Sequence, residues 1–135
     1  MNLIKLTVLT ACFCLILGCS SDSNNEPDIQ IEELTHVAHE VLQFEFIPDT
    51  GNNTRLLRYQ IKFSNPNNVA VNGYYRVTLN TDGLIATTFT NVNGQCGNIA
   101  ANSDCITTFE AEDSLELANV NSITLVGVEY VIVSE

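Results

Sequence analysis

The residues that could do chemistry are few, and their spacing limits them further. Both histidines lie in H-V-A-H-E, residues 36–40. On a helix His36 and His39 would share a face and, with Glu40 nearby, could ligate zinc. On a strand they would point to opposite faces. A zinc site needs at least a third well-placed ligand, and no spacing here supplies it. The order is not the H-E-x-x-H of a metalloprotease either. The two therefore read as surface histidines, with no metal and no cofactor. Four acids concentrate in E-A-E-D-S-L-E, residues 110–116. Calcium favours such oxygens, but the ordered spacing of an EF-hand loop is missing, and a solvated charged loop is expected.

Tyr59, Tyr74, Tyr75 and Tyr130 could form a binding face with Phe63, because aromatics on a sheet stack on sugars and peptides. Tyr74 and Tyr75 are neighbours, so on a strand they point to opposite faces and one of them is outward. This pair is the candidate binding set, while most of the aromatics are expected in a core. For nucleophilic catalysis there is no Gly-x-Ser-x-Gly and no Cys–His arrangement. No catalytic residue is assigned, and the expectation is a protein that is not an enzyme.

The N-terminus reads as an address. One positive charge, Lys5, precedes an apolar run over residues 6–17. Roughly 20 apolar residues are needed to cross a bilayer, so the run suits the hydrophobic region of a signal peptide. It ends in Ile16-Leu17-Gly18-Cys19. A small residue before a cysteine, after aliphatic residues, resembles the lipobox of bacterial lipoproteins. That resemblance implies cleavage after Gly18 and fatty acylation of Cys19. The signal peptide would then be residues 1–18. Residues 19–30 would be the lipidated cysteine and a tether, because S-S-D-S-N-N-E-P-D cannot bury enough surface to offset ordering entropy. Such serine- and acid-rich starts are similar to those of lipoproteins from the Bacteroidota. They imply a lipid-anchored place in the cell envelope, at the outer membrane, on its periplasmic or its outer face.

Charge and cysteines agree with that placement. Cleavage would remove Lys5 and no acid, taking the formal charge from −11 to −12. Such a surface repels phosphate backbones, which excludes nucleic acid as a partner. Attachment would come from the acyl chains, at roughly 0.8 kcal/mol per buried CH₂. Of the five cysteines, Cys12 and Cys14 would leave with the signal peptide and Cys19 would carry lipid. Cys96 and Cys105 remain. An exported protein meets oxidising conditions, so a disulfide is the simplest expectation. Closing so short a loop would contribute roughly 2.5–3 kcal/mol. Two free thiols, or a metal site with Asp104, are the alternatives.

What must position these residues is a set of strands. Leu42, Phe44 and Phe46 alternate with Gln43 and Glu45; Leu57, Tyr59, Ile61 and Phe63 alternate with Arg58, Gln60 and Lys62. Tyr75, Val77 and Leu79 continue the pattern. Asp82-Gly83 then signals a type I′ hairpin, and residues 84–92 return. Thr107, Phe109 and Ala111 read inward in the next strand. Val126, Val128, Tyr130 and Ile132 do so in the last. Over residues 31–42 two patterns compete. Ile31, Leu34, Ala38, Val41 and Leu42 fit a helical face, while Val37, His39 and Val41 fit a strand. The reading is a first strand that begins by about Val37, with a single helical turn possible over residues 113–119. The sum is an all-β chain whose single domain, residues 31–135, is an antiparallel sandwich of six to seven strands.

The stretch Y-Q-I-K-F-S-N-P-N-N-V-A-V-N-G-Y-Y-R-V-T-L, residues 59–79, and the later A-N-S-D-C-I-T-T-F look like parts of small immunoglobulin-like sandwiches of the LEA-2 and FxLyD type. Those families are mostly accessory or binding modules and lend no catalytic residue, and the cysteine pair departs from their pattern. Asp113-Ser114-Leu115 resembles the short O-glycosylation signal of the Bacteroidota, which implies Ser114 as an acceptor. The expected role is a lipid-anchored, non-catalytic interaction module meeting envelope proteins or glycans. The alternative is a ligand-binding or inhibitor lipoprotein using the Cys96–Cys105 loop or the exposed tyrosines.

Overall fold

Strand formation is plainest in β2 (Thr54–Asn65). Tyr59, Ile61 and Phe63 are buried, the last two completely, while Arg58, Gln60 and Lys62 between them are half-exposed. Period-two burial of this kind fits one face of a sheet packed on a core. In the computed structural model, which describes residues 33–133, β2 is the centre of a three-stranded antiparallel sheet. It lies between β1 (Ala38–Ile47) and β6 (Ser103–Ser114). A second antiparallel sheet is built on β3 (Val71–Thr81). β7 (Ile123–Ile132) runs along one side of β3. The hairpin strand β4 (Leu84–Phe89) and the two-residue β5 (Asn98–Ile99) follow each other along the other side. The expected all-β sandwich is therefore present, with seven strands and no helix among the described residues. No helix there is long and apolar enough to cross a membrane. Residues 1–30, read above as signal peptide and tether, and Cys19 with them, lie outside the described residues.

The inner faces of the two sheets meet over aromatics. The Phe63 ring sits 4.9 Å from that of Tyr75 and 5.5 Å from that of Tyr130. Across the same layer the Tyr75 hydroxyl and Thr107 Oγ1 share a buried hydrogen bond of 2.6 Å. Each would otherwise lose its water on burial without a partner, at about 1–3 kcal/mol. The Tyr130 ring covers Gly73 so closely that a Cβ there would come within 2.5 Å of it. Asn65, 2% exposed, donates from Nδ2 to the carbonyls of Val69, Ile99 and Ala100. It holds the turn after β2 against β5.

Two edge strands contain a residue that the alternation does not predict. In β1, Val41 lies opposite Ile61, but Gln43 lies opposite Gln60 and Phe44 opposite Tyr59. Leu42 is the extra residue of a β-bulge. Odd-numbered residues lie opposite Phe63 and Ile61 before it, and even-numbered ones opposite Tyr59 and Leu57 after it. Of the two readings of residues 31–42, the strand through Val37, His39 and Val41 is the one observed, and the helical face through Leu34, Ala38, Val41 and Leu42 is not formed among the described residues. The placement of Leu42 with Phe44 and Phe46 is corrected, since it is 41% exposed. β7 repeats the device. Gly127 faces Thr78 and Leu125 faces Leu79, which leaves Val126 over. Val126, expected inward, is 54% exposed, and Leu125 packs against the core in its place.

The tight turn matches expectation. Asp82 and Gly83 have φ of 49° and 94°, the left-handed values a type I′ turn needs. Its carboxylate also accepts the backbone N–H groups of Asn121 at 2.9 Å and Ser122 at 2.8 Å, tying the hairpin tip to the approach to β7. Residues 115–117 form a turn closed by one bond from Leu117 N–H to the Ser114 carbonyl, not a helix.

Candidate functional site

The residues singled out for chemistry do not converge. His36 precedes β1 and His39 lies within it, opposite Phe63. Both are exposed. Among the described residues no three His, Cys, Asp or Glu side chains come together as metal ligands would. The acids of residues 110–116 are spread along β6 and the turn after it. Glu112 accepts the Thr54 hydroxyl at 2.5 Å and Asp113 lies 3.7 Å from Arg55. Ser114, half-buried at the end of β6 opposite Thr54, accepts a bond from the Glu116 N–H.

Cys96 and Cys105 form the disulfide, with their Cα atoms 5.6 Å apart. The loop it closes is braced rather than open. Cys96 is buried, and its carbonyl accepts the Tyr130 hydroxyl at 3.0 Å. A Cβ on Gly97 would meet the Val92 carbonyl oxygen at 1.9 Å, so the backbone there can pack only around glycine. Gln95 continues the brace, donating to the Ile106 carbonyl and accepting from Thr107.

The two adjacent tyrosines part as expected. Tyr75 is buried in the core, so it is removed from the candidate binding set. Tyr74 is half-exposed on the outer face of the second sheet, its ring 6.4 Å from that of Phe89. Burial, and after it the neighbouring Tyr75, push the Tyr59 phenol up to about 12. Burial also raises Tyr130.

Charge on the described surface is one-sided. Arg55, Arg58, Lys62 and Arg76 each face a carboxylate, those of Asp113, Glu45, Glu40 and Glu129 respectively. The hydrogen bond from Lys62 to Glu40, then the charge of Glu40, raises the Lys62 pKa. With these cations matched, the remaining acids define the surface potential. One region escapes it. Residues 83–103 contain no charged side chain. This stretch includes all of β4, whose six residues are all exposed. Leu84 is 71% exposed, Ile85 62% and Phe89 65%. Val92 just beyond is exposed as well.

The geometry of β4 is that of an open sheet margin. Register places Ile85, Thr87 and Phe89 beside Asn80, Thr78 and Arg76 on the outer face. In a two-residue hairpin the pair flanking the turn, here Thr81 and Leu84, is hydrogen-bonded, and bonded pairs recur at every second residue. The bond from Thr90 N–H to the Tyr75 carbonyl continues this series. The backbone N–H and C=O groups of Ile85, Thr87 and Phe89 therefore point away from β3, toward a side on which no described strand lies. The absence of charge over residues 83–103 was visible in the sequence and is the signal that marks this surface.

A separate concavity lies elsewhere, between the sheets at one end. A cavity of about 520 Å³ is lined by Phe44, Phe46 and Pro48 from the β1 side and by Ile123 and Leu125 from β7, with Ser122 at its rim. No titratable side chain lines it, so it can hold an apolar group but offers no general acid or base. No protein-family model matches this chain, and a search of curated proteins finds no match either.

Proposed function

We propose that the chain is a lipid-anchored cell-envelope protein, held through Cys19, whose sandwich serves as a non-catalytic interaction module with β4 as its contact surface. The single observation that carries the module reading is the uncharged, doubly exposed β4 on an otherwise acidic protein. Contiguous exposed apolar residues on a soluble domain mark interaction sites, and an open strand margin offers main-chain hydrogen bonds to a partner strand. The acidic remainder disfavours nucleic acid and anionic lipid as partners. The lipobox resemblance supports the anchor.

Two measurements test this. Labelled fatty acid should enter the wild-type protein and not the Cys19→Ala variant, which should also leave the membrane fraction. Crosslinking in intact cells should yield adducts that Phe89→Glu loses and Glu116→Gln keeps. Adducts unaffected by Phe89→Glu would remove β4 from the proposal.

A second reading, a ligand-binding lipoprotein, is favoured by the cleft between Phe44, Phe46, Ile123 and Leu125. It is an open groove that brings apolar side chains of both sheets together. Saturable binding of an apolar fluorescent probe, abolished by Leu125→Glu, would support it.

A further inference from the structure

We infer that β4 is the seam of a two-fold homodimer, in which Ile85, Thr87 and Phe89 pair antiparallel with Phe89, Thr87 and Ile85 of a second copy. The inference rests on the reading of β4 as the contact surface and names its occupant.

Three observations lead to a second copy. The first is self-complementarity. The outward backbone groups belong to Ile85, Thr87 and Phe89, which are symmetric about Thr87. A two-fold axis through Thr87 sets Thr87 against its own copy and each Ile85 against a Phe89. All three pairs become hydrogen-bonded pairs, about six bonds in all. Each aliphatic side chain then meets an aromatic one across the seam, a favourable cross-strand combination. Tyr74, already packed beside Phe89, extends that row within each copy.

The second is charge. Two copies at a formal −11 each repel one another over most of their surfaces. Residues 83–103 are the longest uncharged stretch of the chain, so a seam there brings the two copies together with little like-charge opposition.

The third is how the other margins are treated. β1 and β7 are each broken by a bulge, at Leu42 and Val126. β6 carries Asp104, Glu110, Glu112 and Asp113 along its length. Bulges and charges are the devices that block edge-to-edge pairing. β4 has neither, and its register with β3 runs without a shift. An isologous contact of this kind closes on itself as a dimer and does not propagate.

Cysteine crosslinking of the full chain in intact cells reads the register directly. Hydrogen-bonded pairs stand about 5.5 Å apart at Cα, within disulfide reach. Thr87→Cys should give a covalent dimer on non-reducing electrophoresis. Ile85→Cys alone and Phe89→Cys alone should not, but the two together should. Thr87→Pro removes an N–H that points away from β3 and so leaves the hairpin bonded. It should convert the purified protein from dimer to monomer in sedimentation velocity without changing its circular dichroism. A wild-type monomer at every concentration, or crosslinking that ignores this register, would overturn the inference. If the self-crosslink is absent while Phe89→Glu still loses adducts to another protein, the contact-surface reading stands and self-pairing falls. If Phe89→Glu changes nothing, both fall.

Discussion

The side chain of Asn67 holds the peptide of Thr35 at both of its polar groups. The Thr35 N–H donates to Oδ1 at 2.7 Å, and Nδ2 donates to the Thr35 carbonyl at 2.9 Å. Asn65 Oδ1 in turn accepts from Asn67 Nδ2 at 2.8 Å and from its backbone N–H at 3.0 Å. An amide thus does what a neighbouring strand would do, and it does so just before Val37 enters the core. The clamp fixes where the chain joins the sandwich, which matters for any protein pulled from its N-terminal side.

Asn67→Ala should therefore lower stability by about 0.5–1.5 kcal/mol for each side-chain hydrogen bond lost, since the exposed Thr35 groups can turn to water. Asn67→Asp keeps the acceptor but loses the donor. It sets a carboxylate oxygen against the Thr35 carbonyl and Asn65 Oδ1, and should cost more than alanine. Urea midpoints measure both. Exchange of the Thr35 amide should quicken in each variant, and unchanged exchange would remove the clamp.

The disulfide predicts a second shift. Replacing Cys96 and Cys105 together by serine should cost roughly 2.5–3 kcal/mol by loop entropy. It should also loosen the Cys96 carbonyl from the Tyr130 hydroxyl. Urea unfolding with and without reductant should move the wild-type midpoint and leave the double variant unmoved. Equal midpoints for wild type under both conditions would mean the bond is not formed.

Alkaline pH supplies a third. Tyr59 is raised from 10.0 to about 12, chiefly by burial, and Tyr130 is raised by the same cause. A raised pKa means that the folded state keeps the phenol proton where the unfolded state has lost it. The associated stability is fully present below about pH 10 and is lost as pH climbs toward 12. Tyr59→Phe has no proton to lose, so its stability should fall less steeply than that of wild type over this window. Parallel slopes from denaturant titrations at successive pH values would reject the assignment to Tyr59.

How far the sequence carried these conclusions depended on the kind of signal. Ile61, Phe63, Tyr75 and Val77 lie where simple alternation puts them, because each belongs to a strand with a neighbour on both sides. The Asp82-Gly83 turn was legible because its chemistry is local. Leu42 and Val126 were not, since a bulge exchanges inner and outer parity partway along a strand and nothing local in the sequence marks where. β5 is two residues long and has no period at all. The Asn67 clamp looks in the sequence like ordinary turn asparagine; only the return of Thr35 to its side gives it a partner. Tyr74 and Tyr75 could be separated into an outer and an inner residue from adjacency alone, but which was which needed the fold.

The bulges yield a prediction of their own. Deleting Leu42 removes the one unpartnered residue of β1. Val41, Gln43 and Phe44 would then alternate without interruption, and Val41 would still face Ile61 while Phe44 still faces Tyr59. No core side chain changes face, so the deletion should cost far less than Phe44→Ala, for which large-to-small truncation predicts about 3–5 kcal/mol at full burial and less at this half-buried site. The straightened margin, however, loses the twist that discourages a second chain from adding to it. The Leu42 deletion should thus remain folded by circular dichroism and yet associate at lower concentration than wild type in light scattering. A variant that unfolds outright would mean that Leu42 contributes packing rather than parity. A variant that stays as dispersed as wild type would mean that the bulge is not what guards this edge.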